Sequence, residues 1–312
     1  MARKNWLRQA APKWVVDLHD KVYYAYIKAF PKRYADFLYH EKTGRHINWS
    51  NPQDLNEKGR WIQFNTDTSQ WPKLADKYRV REYIEQKGHS ELLVDLYGVW
   101  KAPEEIDFSK LPQSFVLKTN HGSGEVILIQ DKTKIDLEVV RSRIGKYLNE
   151  SYGVWTAEPH YLEIEPCIIA EQLLPNTSPY SSSLAEYKVY CHFGKPILCG
   201  VPYDRDPQTK HCLESWYSPE WEALDDYHSG EYVCRHFPKP SSLEQIYEAC
   251  KDLASQFPLV RMDFYEVNGE PYFGEMTFTP EGFYVGDFSD KALKELGQAI
   301  DLTRIPKEMT KK

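Results

Sequence analysis

Four residues between positions 260 and 280 are of types that bind metal ions and phosphate. Arg261 and Asp263 stand two positions apart, and so do Glu275 and Thr277. Because side chains of a strand alternate between its two faces, each pair shares one face. Carboxylate and hydroxyl oxygens suit Mg²⁺, whereas zinc sites use Cys and His. These types predict a magnesium site beside an arginine; the alternative is a solvated strand face with an incidental Arg–Asp pair.

The turn between the two pairs decides whether they meet. Asn268 and Gly269 are typical of a hairpin turn. We predict a loop of odd length centred on Gly269, which sets the two carboxylates opposite each other and Arg261 opposite Thr277; a two-residue turn would break this pairing. Two facing carboxylates repel when no cation lies between them, so at least one is expected to have a raised pKa in the metal-free protein.

The same alternation predicts which side chains of the hairpin meet the hydrophobic core. Tyr265 and Phe273 are expected on the polar face with the charged residues. The opposite, apolar face is expected to contain Val260, Met262, Phe264, Gly274, Met276 and Phe278.

Composition indicates a globular protein. The 312 residues are 41% hydrophobic and 14% aromatic, which is ample for the core of one large domain or of two to three smaller ones. The net charge of −7 argues against a general nucleic-acid binder, and no run of 18 apolar residues predicts a membrane span. No secretory signal is expected. The six cysteines form no CxxC pair, which favours reduced thiols in a cytoplasmic protein.

The first part of the chain differs in charge from the remainder. Residues 1–39 hold eight Lys or Arg and three Asp, a net charge of +5, while the remainder carries −12. Apolar residues recur at helical spacing between positions 14 and 30, which predicts a basic amphipathic helix. Two interpretations remain open: the helix rests on an anionic membrane surface, or it packs on its own domain or on a dimer partner.

A loop of small residues follows a strand that carries a lysine near its end. Residues 114–119 and 126–129 each predict a strand, with Gly-Ser-Gly at 122–124 between them. Nucleotide P-loops and dinucleotide fingerprints lead from a strand into a helix, so neither motif fits. Glycines let backbone N–H groups approach an anion closely, and Lys118 adds a positive charge. These features suit a loop that covers a triphosphate; taken alone, the pattern fits an ordinary turn as well.

The remaining pattern supplies the elements that must position these residues. A single helix is predicted over residues 72–87, and a buried strand over 167–174 whose exit could pair with an adenine ring. The segment 216–221, rich in aromatic residues, is expected to be an exposed loop. Further predictions are a strand near 92–100, a hairpin of 186–191 with 196–203, and helices at 52–64, 136–152, 243–257 and 290–302.

The ordered set of motifs resembles the ATP-grasp superfamily, in which two α+β subdomains clamp ATP. FVLKTNHGSG, IIAEQLL, EYKVYCHFGKPI and VRMDFYEVNGEPYFGEMTFTP look like segments of the TupA-like ATP-grasp proteins of bacterial cell-surface polymer gene clusters. The similarity covers roughly residues 47–302. It implies an α+β ATP-grasp fold with a basic helical extension at 1–46, a helical region at 47–110, ATP-grasp subdomains at 111–174 and 175–302, and a charged tail at 303–312.

The resemblance also implies a role for each matched position. The metal ligands would be Asp263, Glu275 and Thr277. Most ATP-grasp enzymes have Asn where this chain has Thr277, so one or two Mg²⁺ ions remain open. Catalysis would depend on Lys118, Lys188 and Arg261, and binding of the anionic substrate on Lys188, Arg205 and Arg261. The nucleotide would contact Lys77 (as a helix lysine), Lys118, the loop of His121, Gly122, Ser123 and Gly124, and the hinge of Glu171, Gln172, Leu173 and Leu174.

The activity implied by the resemblance is ATP- and Mg²⁺-dependent ligation of a carboxylate to an amine through an acyl phosphate. The family context suggests a uronic acid, free or within a surface polysaccharide, joined to an amino acid. Apart from the resemblance, the composition predicts a cytoplasmic location and no nucleic-acid partner. Peripheral contact at the inner face of the membrane is one of the two interpretations of the basic helix. A kinase using the same nucleotide clamp and a non-catalytic component of polysaccharide assembly remain alternatives. The two substrates and the oligomeric state stay open.

Overall fold

A computed structural model describes residues 13–122, 124, 126–150, 152–206, 212–230, 233–284 and 286–311, with backbone alone for 13–20. Its α-helices and strands alternate irregularly along these residues, and short 3₁₀ turns connect several of them. The helices are α1 Lys13–Ala29, α2 Pro31–Thr43, α3 Leu55–Asn65, α4 Trp71–Ala75, α5 Val80–Gln86, α6 Leu137–Leu148, α7 Leu243–Leu253 and α8 Asp290–Ala299. The strands are β1 Leu96–Trp100, β2 Phe115–Thr119, β3 Val126–Ile129, β4 Ile168–Glu171, β5 Glu186–His192, β6 Lys195–Tyr203, β7 Leu213–Tyr217, β8 Val260–Val267 and β9 Glu270–Thr277.

Strands β1 to β4 form an antiparallel sheet in the order β1-β4-β2-β3. Phe115 and Leu117 of β2 point into a core that α6 closes with Val140 and Ile144. The alternate residues of β2 are only half-buried. This alternation leaves Lys118 on the face opposite to the core.

Strands β5 to β9 form a second antiparallel sheet in the order β7-β6-β5-β8-β9. One face packs in the large core, where Met262 and Met276 are cross-strand neighbours and are almost completely buried. Truncating a buried side chain of this size to Ala typically costs about 2–5 kcal/mol. The other face carries the polar residues of the hairpin, and the core beneath it fixes their positions.

The loop predicted for the β8–β9 hairpin is wrong, but the predicted pairing is confirmed. Val267 pairs with Glu270 across a two-residue turn whose residues have φ angles of 54° and 85°, as a type I′ turn requires. A β-bulge at Gly274 then shifts the register by one residue. Beyond it Asp263 faces Glu275, as the sequence predicts, and so do Arg261 and Thr277.

The bulge also changes the faces of two residues near the turn. Phe273 pairs with Phe264 and is buried in the core, so the prediction that it joins the polar face is wrong. Gly274 is the bulged residue rather than a member of the apolar face. The physical reason is that the two-residue turn sets the pairing of residues 264–267 with 270–273. The bulge restores the predicted pairing only for the residues beyond Gly274.

The single helix predicted over residues 72–87 is interrupted. Helix α4 ends at Ala75, and α5 begins at Val80. Asp76 has extended backbone angles, and its Oδ1 accepts hydrogen bonds from the backbone N–H groups of Tyr78 and Arg79. A short acidic side chain that bonds nearby N–H groups competes with helix formation, which explains the break.

The segment expected to be an exposed aromatic loop is partly a buried strand. Leu213–Tyr217 forms β7 at the edge of the second sheet, and Trp216 and Tyr217 are buried. Trp221 stacks on Tyr217 with ring centroids 4.3 Å apart. Aromatic residues are compatible with both a strand and a loop, so their presence alone does not distinguish the two. No helix among the described residues is long and apolar enough to cross a membrane.

Candidate active site

Asp263 lies at the centre of the polar face of the second sheet. Its side chain is 1% exposed and accepts three hydrogen bonds from cationic groups. Arg261 donates Nε–H to Oδ1 and Nη2–H to Oδ2, both at 2.7 Å. Lys188 on the neighbouring strand β5 donates Nζ–H to Oδ2 at 2.7 Å. The carboxylate is therefore compensated on both oxygens by positive charge.

Glu275 stands beside this pair and is more accessible. Its Oε2 lies 3.1 Å from Lys77 Nζ, and its Oε1 lies 3.5 Å from Arg261 Nη2. Thr277 donates its hydroxyl to Oε1 at 3.1 Å. Burial alone would raise the pKa of Glu275, but Lys77, Arg261 and Lys188 outweigh it and hold the pKa below its usual value. The expectation of a raised pKa is wrong for this carboxylate. The three neighbouring cations stabilise its charged form more than burial destabilises it.

Lys77 connects the two sheets. It lies in the break between α4 and α5, not within a helix as predicted. Its Nζ donates to the backbone oxygen of Gly122 at 2.7 Å while contacting Glu275. Its backbone N–H donates to Asn120 O at 3.1 Å. One ammonium group thus joins the glycine loop of the first sheet to the carboxylate of the second.

Lys118 and Glu171 face each other on the first sheet. Lys118 Nζ lies 2.5 Å from Glu171 Oε2, and both side chains are mostly buried. Arg81 of α5 approaches the other oxygen at 3.6 Å and also donates to Val94 O at 2.8 Å. No role in the site is predicted for Arg81 from the sequence, because its spacing sets it on one helical face with apolar residues.

The glycine loop is described in part. Gly122 is buried, and Gly124 has a φ of 82°, a left-handed conformation that favours glycine. Ser123 lies outside the described residues. His121 is buried with its Nε2 3.1 Å from Glu150 O, and burial lowers its pKa. A neutral imidazole is expected there, so the cations of this loop region are the lysines.

The predicted hinge follows β4 at the edge of the same region. The N–H of Gln172 donates to Asp95 O at 2.9 Å, which extends the pairing of β4 with the strand region before β1. This N–H is therefore used within the protein. Leu173 and Leu174 follow in half-buried, irregular backbone.

A second row of charges borders Asp263 on β5. Lys188 also donates to Glu186 Oε1 at 2.9 Å, and Arg205 Nη2 contacts the other Glu186 oxygen at 3.2 Å. Lys188 is desolvated and lies near Arg261, yet the neighbouring carboxylates outweigh both effects and raise its pKa. The predicted substrate cations Lys188 and Arg205 are thus brought together through Glu186, to which the sequence reasoning gave no role.

Glu214 is a further acid for which no role is predicted from the sequence, and it is half-buried with its Oε1 shielded from solvent. It projects from β7, and a Cβ at Gly200 would lie only 2.7 Å from its Oε1. Gly200 pairs with Lys188, so the absence of a side chain there lets this carboxyl approach the Lys188 row. Burial raises the pKa of Glu214 to about 8. Glu214 and Trp216 lie two positions apart and so share one face of β7. A strand prediction for this segment would therefore have set the carboxyl beside a buried aromatic residue.

The donor set fits a hard divalent cation. Asp263 and Glu275 face each other with Thr277 beside them, and these side chains offer oxygen ligands only. Nowhere in the described part of the chain do three His, Cys, Asp or Glu residues gather as a metal cluster. Mg²⁺ commonly takes one or two carboxylates and completes its shell with water and phosphate oxygens. Two facing carboxylates with a hydroxyl beside them fit that pattern.

Comparison with known proteins identifies a family. The model of the TupA-like ATPgrasp family matches residues 57–301. None of the curated proteins compared with the sequence matches it. The solved structures that match include a D-alanine–D-alanine ligase from Bacillus anthracis, with 14% identity and a TM-score of 0.43 over 69% of this chain and 60% of that chain. The match thus spans three fifths of that ligase.

Two other solved structures show similar values. D-cycloserine synthetase DcsG has 13% identity and a TM-score of 0.45, over 76% of this chain and 73% of that chain. The L-amino acid ligase from Bacillus licheniformis has 14% identity and a TM-score of 0.39, over 66% of this chain and 40% of that chain.

Proposed function

Because the chain belongs to the TupA-like ATP-grasp family, whose cofactors are ATP and Mg²⁺, we propose that it is an ADP-forming carboxylate–amine ligase. The observation that carries this proposal is the facing pair Asp263 and Glu275, held with Arg261 and joined through Lys77 to the glycine loop. Residues 111–174 and 175–302 are the proposed halves of the nucleotide clamp. Strand β1 (Leu96–Trp100) adds to the first sheet from outside the first of these ranges.

The proposed reaction has two steps. A carboxylate oxygen of the first substrate attacks the γ-phosphorus of ATP, the bond to the bridging oxygen breaks, and ADP leaves. The amine nitrogen then attacks the carbonyl carbon of the acyl phosphate, inorganic phosphate leaves, and the nitrogen loses a proton. Phosphate is a good leaving group and a carboxylate oxygen is not, which is why ATP is consumed. No side chain has to act as a covalent nucleophile.

The residues of the chain contribute position and charge. We assign Lys118 and the glycine loop to the phosphates, and Arg261 to the transferred phosphoryl group and the acyl phosphate. Asp263 holds Arg261 in one orientation through two hydrogen bonds of 2.7 Å, so the guanidinium needs little rearrangement. Asp263, Glu275 and Thr277 would hold Mg²⁺, which neutralises charge on the phosphate oxygens when bound.

The first substrate is proposed to be a uronic acid, free or part of a surface polysaccharide, and the amine an amino acid. Lys188 and Arg205 both contact Glu186 in one charged row, and they offer cations to such an acid. Family context supports the polysaccharide assignment. All six cysteines are free thiols, which supports a reducing compartment such as the cytoplasm.

The experiment that tests the proposal measures phosphate release from ATP with paired substrates. Purified protein with Mg²⁺ is supplied with uronic acids and amino acids, singly and in pairs. A ligase releases phosphate only when both partners are present, and mass spectrometry detects the amide.

Two results would contradict the proposal. ADP formation with a phosphorylated product and no dependence on an amine would indicate the kinase alternative. The second result has two parts: the protein binds ATP but turns over no substrate pair, and the Glu275→Gln variant binds ATP as the wild type does. Together they would favour a non-catalytic component of polysaccharide assembly.

Replacing Lys77 by Met is expected to raise the affinity for Mg²⁺ in the absence of ATP by about tenfold, or ~1.4 kcal/mol. The reason is that Lys77 neutralises Glu275 at 3.1 Å and has to give up this contact when a metal binds. The same variant is expected to bind ATP more weakly, since a cation near the phosphates is lost. Mn²⁺, a substitute for Mg²⁺ visible by electron paramagnetic resonance, gives the affinity.

Lys101→Met is the matched control for this prediction. Lys101 also pairs with a glutamate, at 2.5 Å, but is exposed and lies away from the hairpin. Unchanged metal affinity in the Lys77 variant, with ATP binding intact, would show that Lys77 is only a structural link.

A further inference from the structure

Helix α1 packs on the protein by one face. Ile27 is buried in a small cluster with Tyr34 and Val154, and Tyr23 contacts Tyr34 with ring centroids 5.8 Å apart. These contacts anchor α1 to α2 and to the segment after α6. They agree with the interpretation that the helix packs on its own domain, and they fix which side faces outward.

The outward side carries a stripe of large apolar side chains. Val22, Tyr26 and Phe30 are 62%, 43% and 45% exposed and stand four residues apart. Phe30 directly follows the last residue of α1, and its backbone N–H donates to Tyr26 O at 2.9 Å, as in a helical turn. Four-residue spacing keeps side chains on one side of a helix. In the sequence the same spacing continues at Leu18 and Trp14. Isolated exposed apolar residues are ordinary, whereas an aligned set of this kind marks a contact surface.

Basic residues flank the stripe. Lys21, Lys28 and Arg33 are exposed, and the Arg33 guanidinium lies 5.3 Å from the centre of the Phe30 ring. Residues 1–39 have a net charge of +5, and the remainder of the chain has −12. Two copies of this segment would repel each other, which disfavours self-association through the stripe. An anionic surface with an apolar interior complements both features.

We propose that the outer face of α1 binds the surface of an anionic lipid bilayer, with the helix lying in the membrane plane. Val22, Tyr26 and Phe30 would enter the boundary between headgroups and acyl chains, while the lysines and Arg33 contact lipid phosphates. The strongly negative remainder of the protein would be repelled from the same surface, which orients the molecule. This surface lies outside the candidate active site, so its test is independent of the ligase proposal.

The test is sedimentation of the full-length protein with vesicles of phosphatidylcholine, alone or mixed with phosphatidylglycerol. We expect binding to the mixed vesicles that weakens as salt is added, because exposed charges are screened. Two variants separate the contributions: Val22→Ser/Tyr26→Ser/Phe30→Ser removes the stripe, and Lys21→Gln/Lys28→Gln/Arg33→Gln removes the flanking charge. Each is expected to lower the partition coefficient by about tenfold or more.

A control variant removes similarly exposed apolar side chains from another part of the protein. Val139 of α6 is 62% exposed, like Val22, and Leu128 of β3 is similarly exposed, but both lie on the first sheet and its helix. Val139→Ser/Leu128→Ser is expected to bind vesicles as the wild type does. Melting temperatures of all variants check that the fold is retained.

Three outcomes would overturn the proposal. The first is equal binding of the wild type to neutral and anionic vesicles. The second is wild-type binding by the stripe variant. The third is a wild-type dimer in sedimentation velocity that the stripe variant loses, without vesicle binding, which would assign the stripe to a second copy of the chain.

Discussion

Glu275→Gln is expected to reduce ATP turnover by about a thousandfold while the protein remains folded. Removing one group that stabilises charge in a transition state typically costs this factor. The side chain is 31% exposed, so water can solvate Lys77 when the carboxylate is lost. The melting temperature should therefore change little. Phosphate release at saturating ATP and Mg²⁺, with a substrate pair found by screening, provides the measurement.

Glu270→Gln is the matched control for this variant. Glu270 begins the same strand but is exposed at the turn end of the hairpin, away from the other charges. It should retain wild-type turnover. Normal turnover by Glu275→Gln would show that the facing carboxylates are not the metal site. The proposed chemistry would then lose its main support.

Asp263→Ala is expected to destabilise the protein by about 3–5 kcal/mol, as well as abolish turnover. The substitution leaves the guanidinium of Arg261 and the ammonium of Lys188 in a buried region without their shared partner. Breaking a buried ion pair from one side typically has this cost, because an uncompensated charge remains. Urea unfolding followed by circular dichroism would measure the change.

A double variant tests the physical reason. Asp263→Leu/Arg261→Met removes both members of the bidentate pair, and replacing a whole buried pair by apolar residues is often nearly neutral. It is expected to regain much of the stability that Asp263→Ala loses, since the Arg261 charge is gone and Lys188 keeps Glu186 at 2.9 Å, but none of the activity. Equal stability of Asp263→Ala and the wild type would show that the cations find other partners.

The fold and site could be predicted where a local pattern has one solution. The alternation around Lys118 and Asp263 identified both strands and their polar faces, since strand periodicity is a property of neighbouring residues. The break at Asp76 escaped because the same side chain can extend a helix or end it by bonding the N–H groups beyond it. The contact of Lys77 with Gly122 depends on how two distant segments pack, and no local pattern encodes that.

The β8–β9 hairpin shows how a correct pairing can follow from a wrong turn. Eleven residues separate Asp263 from Glu275. A three-residue loop with no bulge uses eleven residues, and so does a two-residue turn with one bulged residue. Both solutions set the carboxylates opposite each other. They differ in the pairing of residues 270–274, which includes whether Phe273 points to the core or to the site. The spacing of the two carboxylates is the same in both, so it does not distinguish them.

The turn and the bulge at Gly274 together set one strand register, so in evolution the two places are expected to change together. An insertion at the turn compensated by a deletion at the bulge would keep the carboxylates in phase and rotate only the residues between them. Either event alone would put the acids out of phase and remove the site in one step. A side chain at position 274 is also constrained, since its Cβ would lie 3.0 Å from the backbone oxygen of Asp263. An alignment of such hairpins should therefore treat a gap at the turn and a gap at the bulge as changes in the same strand register.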